Sequence, residues 1–353
     1  MRGIKRIIAL AVLGLCVAAF AAMQWFERWQ QKPLSIQEPI AIELQNGSSL
    51  RKFASELVEL GVLDNARLFL LAARQRGTDR RLHAGEYLIS PGLTGMDLLA
   101  LLESGAVIHY PVTFVEGWTV SEVIAELRNH PLLNLKELPG NATELAGVLG
   151  VKDQYTSAEG LLFADTYSYR KGGSAIELLR RAYERLDKLL AQEWSARAGD
   201  LPYENAYQAL IAASLVEKET GLASERGKIA GVFTRRLQQG MKLQTDPTVI
   251  YGLGESFDGN LTRKHLREPG PYNTYVNRGL PPTPIAVVGL ESILAALHPE
   301  EGSALYFVAR GDGSHAFSDT LAEHVDAVNR FQRNPVANYR SSPAKSDTGK
   351  TSE

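Results

Sequence analysis

A long apolar segment near the N-terminus constrains the fold of this chain more than any other feature. It begins at Ile7, ends at Phe26 and contains Gln24 as its only clearly polar member. A run of roughly 20 such residues is long enough to cross a bilayer as a helix. Basic residues at positions 2, 5 and 6 precede it, so the positive-inside rule keeps residues 1–6 in the cytoplasm. We therefore expect residues 7–26 to be a transmembrane anchor, with the rest of the chain exported.

A cleaved signal peptide is the alternative interpretation of this segment, because Ala19 and Ala21 form a small-residue cleavage pattern. The apolar run continues past that site, which favours an uncleaved anchor. A lipoprotein signal is disfavoured, because the residue before Cys16 is the large Leu15. Cys16 is the only cysteine, so neither an intramolecular disulfide nor a cysteine-based metal site can form. Residues 27–39 have the composition of a polar, proline-containing tether.

The length of the chain allows two folded units, and its charge and histidine spacing argue against nucleic-acid binding and metal binding. A chain of 353 residues is long enough for two domains with appendages. The formal net charge is −2, and without a basic stripe we expect no nucleic-acid partner. The seven histidines are scattered without the spacing of metal ligands, so we expect no metal site. We also expect no cofactor.

Two α+β regions are predicted after the tether. In residues 40–106, helices are predicted over 49–61, 65–76 and 94–103 and a strand over 82–90, which together suggest a small α+β module. Residues 107–333 predict a larger mixed α+β domain, and residues 334–353 a disordered tail rich in Ser, Lys, Thr and Asp. The elements predicted in the larger region are a strand over 107–115, helices over 119–127, 174–197, 208–221, 225–239, 290–297 and 320–331, a short helix from 247 to 252, and a hairpin around glycines 311 and 313.

The helix predicted over 208–221 carries two glutamates that are not equivalent. Positions three, four, seven and eight residues before Glu219 are all apolar, and they form a stripe on its side of the helix: Val216, Leu215, Ala212 and Ile211. Burial against apolar walls raises the pKa of a carboxyl group, which suits a general acid that works near neutral pH. The alternative is an ordinary helix end at which Glu217 and Glu219 are both solvated.

Several uncommon strings follow one another in the order of a known family. They are Glu-Lys-Glu at 217–219, the segments 241–252 and 271–275, and Gly-Leu-Pro-Pro at 279–282. In this order the chain closely resembles the YceG-like, or MltG-type, endolytic murein transglycosylases, from the membrane segment to about residue 333. The resemblance implies cleavage of peptidoglycan glycan strands and makes Glu219 the catalytic residue. One departure affects the string at 159–167, where Ala164 stands in place of the usual proline.

The resemblance also carries expectations about organisation and partners. It implies a LysM-like module at 40–106, which either binds glycan or only positions the catalytic domain at 107–333. It implies a single-pass protein of the inner membrane whose catalytic part lies in the periplasm, with peptidoglycan synthases as partners. The expected reaction cleaves the MurNAc–GlcNAc bond, leaves 1,6-anhydroMurNAc ends and terminates nascent strands. A hydrolytic muramidase and a non-catalytic membrane-anchored scaffold that binds peptidoglycan remain the alternatives.

Six further residues are candidates for binding the substrate. Gln244, Thr245 and Asp246 crowd the start of a short helix that has Pro247 in its first turn, a position rich in backbone N–H donors. A plain helix cap is the simpler role for Asp246. In the loop that follows, Tyr272, Asn273 and Tyr275 offer flat rings, hydroxyls and an amide that match N-acetylated sugars. The alternative is a rigid turn whose aromatic rings pack on the core.

A serine acyl-enzyme is not expected, because Ser214 lies four residues before Lys218, whereas the Ser-x-x-Lys pair needs three.

Overall fold

The chain folds into two compact units. A computed structural model describes residues 2–78, 81–151 and 153–333, so the predicted tail at 334–353 lies outside the described residues. The first unit comprises Met1–Tyr110 with Ser168–Gly172, and the second comprises Pro111–Tyr167 with the chain from Gly173 onward. The elements are α-helices mixed with short two-stranded sheets, which confirms a mixed α+β class.

The N-terminal helix α1 covers Arg2–Gln30 and contains the predicted apolar segment. Among the helices in the described part of the chain, it alone is long and apolar enough to cross a membrane. Its large apolar side chains from Ile4 to Trp25 are exposed. A helix that exposes apolar side chains along its length needs an apolar environment around it, and α1 is compatible with a single-pass anchor.

The remainder of the first unit packs three helices against one antiparallel strand pair. Strand β1 (Ile40–Leu44) pairs with β2 (Gly85–Ile89), and helices α2 (Leu50–Glu59), α3 (Ala66–Arg76) and α4 (Gly95–Ser104) enclose a shared core. The three predicted helices are confirmed, and each is capped by a side chain of the residue before it. Sequence analysis missed β1, although Ile40, Ile42 and Leu44 recur at every second position and are less exposed than the residues between them.

The rest of the chain holds the remaining elements. Strand β3 pairs with β4, and β5 pairs with β6. Their bounds are β3 (Tyr110–Thr113), β4 (Thr166–Tyr169), β5 (Tyr306–Ala309) and β6 (His315–Ser318). The helices are α5 (Val120–Arg128), α6 (Ala142–Leu149), α7 (Ala175–Ser195), α8 (Ala206–Glu219), α9 (Ala223–Gln238), α10 (Asp246–Leu253), α11 (Leu290–Leu297) and α12 (Leu321–Val328).

Two expectations about this region were wrong. Helix α6 occupies the middle of a segment, 131–154, for which no element was predicted. Asn141 accepts a hydrogen bond from the Glu144 N–H and Gly150 ends the helix in the left-handed conformation, so both boundary signals were present in the sequence. Helix α9 begins at Ala223, two residues before the predicted start at 225, and has no side-chain cap.

Helix α8 is the central helix of the second unit. Every residue from Ala209 to Val216 is buried, and α7, α9, α10 and α11 all pack against it. A helix that is buried on all sides must be apolar around its whole circumference, and small residues let neighbours approach closely. The helix ends at Glu219, because Thr220 is already extended (φ −143°). It therefore stops two residues before the predicted end at Gly221, and Glu219 lies in its last turn.

Candidate active site

Glu219 ends the apolar stripe that the sequence predicted. Ile211, Ala212, Leu215 and Val216 are at most 4% exposed, and Glu219 itself is half-buried. Loss of hydration raises the pKa of its carboxyl group to about 7. The Thr245 hydroxyl donates a hydrogen bond to Glu219 Oε1. This bond favours the ionised form, whereas the nearby negative charge of Asp246 disfavours it.

Glutamine at position 219 is expected to stabilise the fold at alkaline pH. An ordinary glutamate ionises near pH 4.5, but folded Glu219 ionises near pH 7, so the folded state holds a proton that the unfolded state releases. The contribution of Glu219 to stability is therefore complete below pH 4.5 and is lost as the pH rises through 7. Thermal melts of the full chain should show the stability gain of Glu219→Gln at pH 8 exceeding that at pH 4. A difference that does not change with pH would contradict the raised pKa.

The partner of Glu219 follows a strained backbone position. Gln244 has φ of +51°, a conformation that costs a non-glycine residue free energy and tends to persist at functional sites. Its N–H donates to the Thr274 carbonyl (3.2 Å), and the Thr245 N–H donates to Thr274 Oγ1 (3.1 Å). These bonds fix the segment in which Thr245 turns its hydroxyl toward Glu219, and they leave the Gln244 side chain exposed.

Asp246 does not cap α10, as had been the simpler expectation. Thr245 holds the N-cap position, without a capping side-chain bond because its hydroxyl is directed to Glu219. Asp246 is the first helical residue, and it accepts a hydrogen bond of 2.6 Å from the Tyr275 hydroxyl. Burial, and then the charge of Asp246, raise the pKa of Tyr275, so this hydroxyl stays protonated. Residues 219, 245, 246 and 275 are thus brought together in one site.

The other two loop candidates are engaged in holding the loop. Asn273 is 5% exposed, and its amide donates to the carbonyls of His265 (3.0 Å) and Glu268 (2.8 Å) while its oxygen accepts from the Tyr275 N–H. Tyr272 is half-buried, with its hydroxyl 2.9 Å from Thr283 Oγ1. Its ring meets the edge of the Tyr251 ring at 4.8 Å between centroids.

Sequence analysis missed Arg236, a buried cation beside the site. It is 7% exposed and donates to three backbone carbonyls: Leu305 (2.6 Å), Leu243 (2.8 Å) and Lys242 (3.2 Å). The last two carbonyls lie immediately before Gln244, so Arg236 anchors the segment that carries Thr245. Its positive charge also lowers the pKa of Glu219. The available signal was its place three and four residues after Phe233 and Val232, on the buried face of α9.

A second carboxyl group with a raised pKa lies in the string at 159–167. Glu159 is 3% exposed, and burial raises its pKa to about 7. It accepts hydrogen bonds from the Val120 N–H (2.9 Å) and the Tyr251 hydroxyl (3.1 Å). These bonds join the start of α5 to α10, so Glu159 is an internal link between elements of the second unit.

Other residues of types that often act in catalysis form hydrogen bonds or ion pairs that hold the fold together. Glu217 accepts from the Gly289 N–H (3.1 Å) and lies 3.7 Å from Arg226, which confirms that the two glutamates of α8 differ. The Ser214 hydroxyl donates to the Ile211 carbonyl and accepts from the Ile285 N–H. The ring of His315 is held 2.8 Å from Glu225. Within the described residues, no group of three His, Cys, Asp or Glu is placed to bind a metal.

Comparisons with known proteins show which family the chain resembles. The sequence model of the YceG-like family matches residues 42–330. The chain is 31% identical over 310 residues to an endolytic murein transglycosylase of Bacillus subtilis, covering 83% of this chain and 84% of the relative. It is 26% identical to an endolytic murein transglycosylase of Streptococcus pneumoniae, covering 82% of this chain but 59% of the relative. A crystal structure of a YceG-like protein from Listeria monocytogenes is similar, with 30% identity, 82% and 98% coverage and a TM-score of 0.54.

Proposed function

The chain belongs to the YceG-like family, and we propose that it is an endolytic lytic transglycosylase that cleaves peptidoglycan glycan strands. The observation that carries the proposal is Glu219, a carboxyl group with a pKa of about 7 at the end of a buried helix. Such a group is protonated often enough to act as an acid and ionised often enough to act as a base near neutral pH. The names of the relatives from Bacillus subtilis and Streptococcus pneumoniae supply the substrate class.

In the first step, protonated Glu219 donates its proton to the oxygen that links N-acetylmuramic acid to N-acetylglucosamine. The bond between this oxygen and the anomeric carbon breaks, and the N-acetyl group of the substrate assists at that carbon. Departure of the N-acetylglucosamine end leaves Glu219 ionised. The Thr245 hydroxyl and the charge of Arg236 both favour this ionised form, so they stabilise the product state of the proton transfer.

In the second step, ionised Glu219 removes the proton from the C6 hydroxyl of the muramic acid residue. The O6 atom bonds to the anomeric carbon and closes a 1,6-anhydro ring, and Glu219 is protonated again. One carboxyl group therefore serves as acid and then as base, whereas most glycosidases use two. Candidates for holding the strand beside Glu219 are Gln244, Asp246, Tyr272 and Tyr275, with Thr245 and Asn273 positioning the segments that carry them.

The products of digestion test the reaction type. Isolated sacculi incubated with the detergent-solubilised full chain are expected to release fragments with 1,6-anhydro ends, detected by mass spectrometry as the loss of one water per cleaved end. Reducing ends in their place would show that water attacked, and would make the protein a muramidase. Binding of sacculi without any shortening of the strands would favour the membrane-anchored scaffold.

Asp246→Asn is expected to move the alkaline limit of activity to lower pH. The negative charge of Asp246 raises the pKa of Glu219, so its removal lowers that pKa and deprotonates the acid earlier as pH rises. The measurement is the pH profile of kcat/KM on sacculi, with Asp187→Asn on the exposed face of α7 as the matched control. An unchanged or alkaline-shifted limit would show that the charge of Asp246 does not act on Glu219.

The remaining elements of the proposal concern location and partners. We propose that α1 anchors the protein in the inner membrane, that residues 40–106 are a LysM-like module, and that the catalytic domain at 107–333 lies in the periplasm. Cleavage close to the membrane would terminate nascent glycan strands, which makes peptidoglycan synthases the expected partners. Support for the anchor is the length and apolar composition of α1.

A further inference from the structure

An open cavity of about 460 Å³ lies near the start of α8, at the end of the helix opposite Glu219. Six of the ten residues that line it have apolar aliphatic side chains, and three of these six are prolines. Among the described residues of the lining, none carries a charge. The lining consists of Pro202, Asn205, Tyr207, Gln208, Ile211, Leu237 and the loop 279–282.

The cavity and Glu219 lie along the same side of α8. Gln208 and Ile211 line the cavity, and Gln208 precedes Glu219 by three helical turns, with Leu215 on the stripe between them. At 1.5 Å per residue the separation along the helix axis is about 16 Å, which is the length of a few linked sugar rings. The residues from Ala209 to Val216 between the two places are buried, so a strand that reaches both must pass over the elements that cover α8. Leu237 and Leu280 of the cavity pack in the same apolar cluster as Leu215 and Leu243. One apolar cluster therefore contains residues of the cavity lining and residues of the stripe that ends at Glu219.

The lining has the chemistry that N-acetylated sugars require. The Tyr207 ring is fixed by the Tyr155 ring, 4.5 Å away between centroids, and with the prolines it offers flat apolar surfaces to sugar faces. Asn205 and Gln208 add amide groups, which can donate to and accept from an N-acetyl group. The Gln208 amide is held in place by Glu204 through bonds of 3.0 and 3.2 Å. A charged stem peptide would need charged partners, which this lining lacks.

We propose that this cavity is a distal glycan subsite that binds an N-acetylated sugar about three helical turns away from the bond being cleaved. The proposal rests on the proposed function, because the occupant is the strand that Glu219 cleaves. Binding of a remote sugar supplies free energy that can be used to position the scissile bond. The enzyme would then favour long strands over short fragments, as endolytic cleavage requires.

Binding of peptide-free N-acetylglucosamine oligomers to the full chain tests the subsite. In a Glu219→Gln background, which prevents turnover, calorimetry compares the parent with Gln208→Ala and Pro282→Ala. Each added substitution should weaken binding of the hexasaccharide about tenfold, the usual cost of losing one or two good contacts. Gln192→Ala, an exposed glutamine on α7, is the matched control and should bind like the parent. Thermal melts confirm that all variants are folded.

Unchanged hexasaccharide affinity in both cavity variants would overturn the proposal. It would also be overturned if the cavity variants bound an isolated stem peptide more weakly than the parent does but bound the hexasaccharide equally well. The outcome is separate from the proposed function, since binding is measured without cleavage. With Glu219 restored, the ratio of kcat/KM on long strands to kcat/KM on short fragments should fall in Gln208→Ala. If the wild-type protein binds the oligomer but does not shorten the glycan strands of sacculi, the transglycosylase activity is rejected and the subsite is still supported.

Discussion

Replacing Glu219 with glutamine is expected to lower the rate of glycan cleavage by about 10²- to 10⁴-fold, the usual contribution of a positioned acid–base group. Glutamine has the shape of glutamate and can still accept the hydrogen bond from Thr245, but it cannot transfer a proton. Both proposed steps need that transfer, so no part of the reaction would bypass the loss. The measurement is the initial rate of strand shortening on sacculi at pH 6 to 7.

Glu217→Gln is the matched control for this variant, two residues earlier on the same helix. Glu217 accepts from the Gly289 N–H and lies near Arg226, so its charge compensates a mostly buried cation. We expect this variant to lose thermal stability and to keep its activity per folded molecule. Comparable rates for Glu219→Gln and the wild-type protein would remove Glu219 from the mechanism.

Gly160→Ala is expected to destabilise the second unit by about 2–5 kcal/mol, from overpacking and backbone strain together. Gly160 has φ of +70°, and an added Cβ would lie 2.3 Å from Cβ of Pro284 and 3.0 Å from the Ala286 carbonyl oxygen. These atoms belong to a buried segment, so they cannot move aside without disturbing the core. Chemical denaturation of the full chain would measure the loss.

Gly150→Ala separates the two contributions. Gly150 also has a positive φ of +77°, but an added Cβ there would meet no atom within 4 Å. Its cost should be limited to the backbone strain of about 1–2 kcal/mol. Equal losses in the two variants would show that the close approach of Gly160 to Pro284 has no energetic weight. Because Gly160 follows Glu159, a shift of the backbone at Gly160 is also expected to disturb the hydrogen bond between Glu159 and Tyr251.

The features that sequence predicted best are those that depend on local periodicity. The helical repeat places Ile211, Leu215 and Glu219 on one side of α8 whatever surrounds the helix, and the structure buries that side. Caps such as Ser49 and Thr94 are also local, since they depend on a side chain and an N–H within three residues. These signals needed no knowledge of the rest of the fold.

Features that depend on contacts between residues far apart in the chain could not be predicted from the sequence. The Thr245 hydroxyl bonds to Glu219, 26 positions away, instead of capping its own helix, and only the packing of α10 on α8 decides between the two. Arg236 is buried because three carbonyls from two separate segments converge on it. A charged residue in a helix end is more often solvated, so local pattern alone favoured the wrong environment.

The ionisation of Glu219 is the most direct measure of the central claim. Infrared difference spectra of the full chain, recorded across pH for the wild-type protein and Glu219→Gln, isolate the carboxylic acid band of this one residue. We predict a band that is present in the wild-type protein at pH 6, is absent from the variant, and titrates with a midpoint of about 7. A midpoint near the ordinary value of 4.5 would mean that water reaches the carboxylate freely, and it would contradict the role of Glu219 as the proton donor.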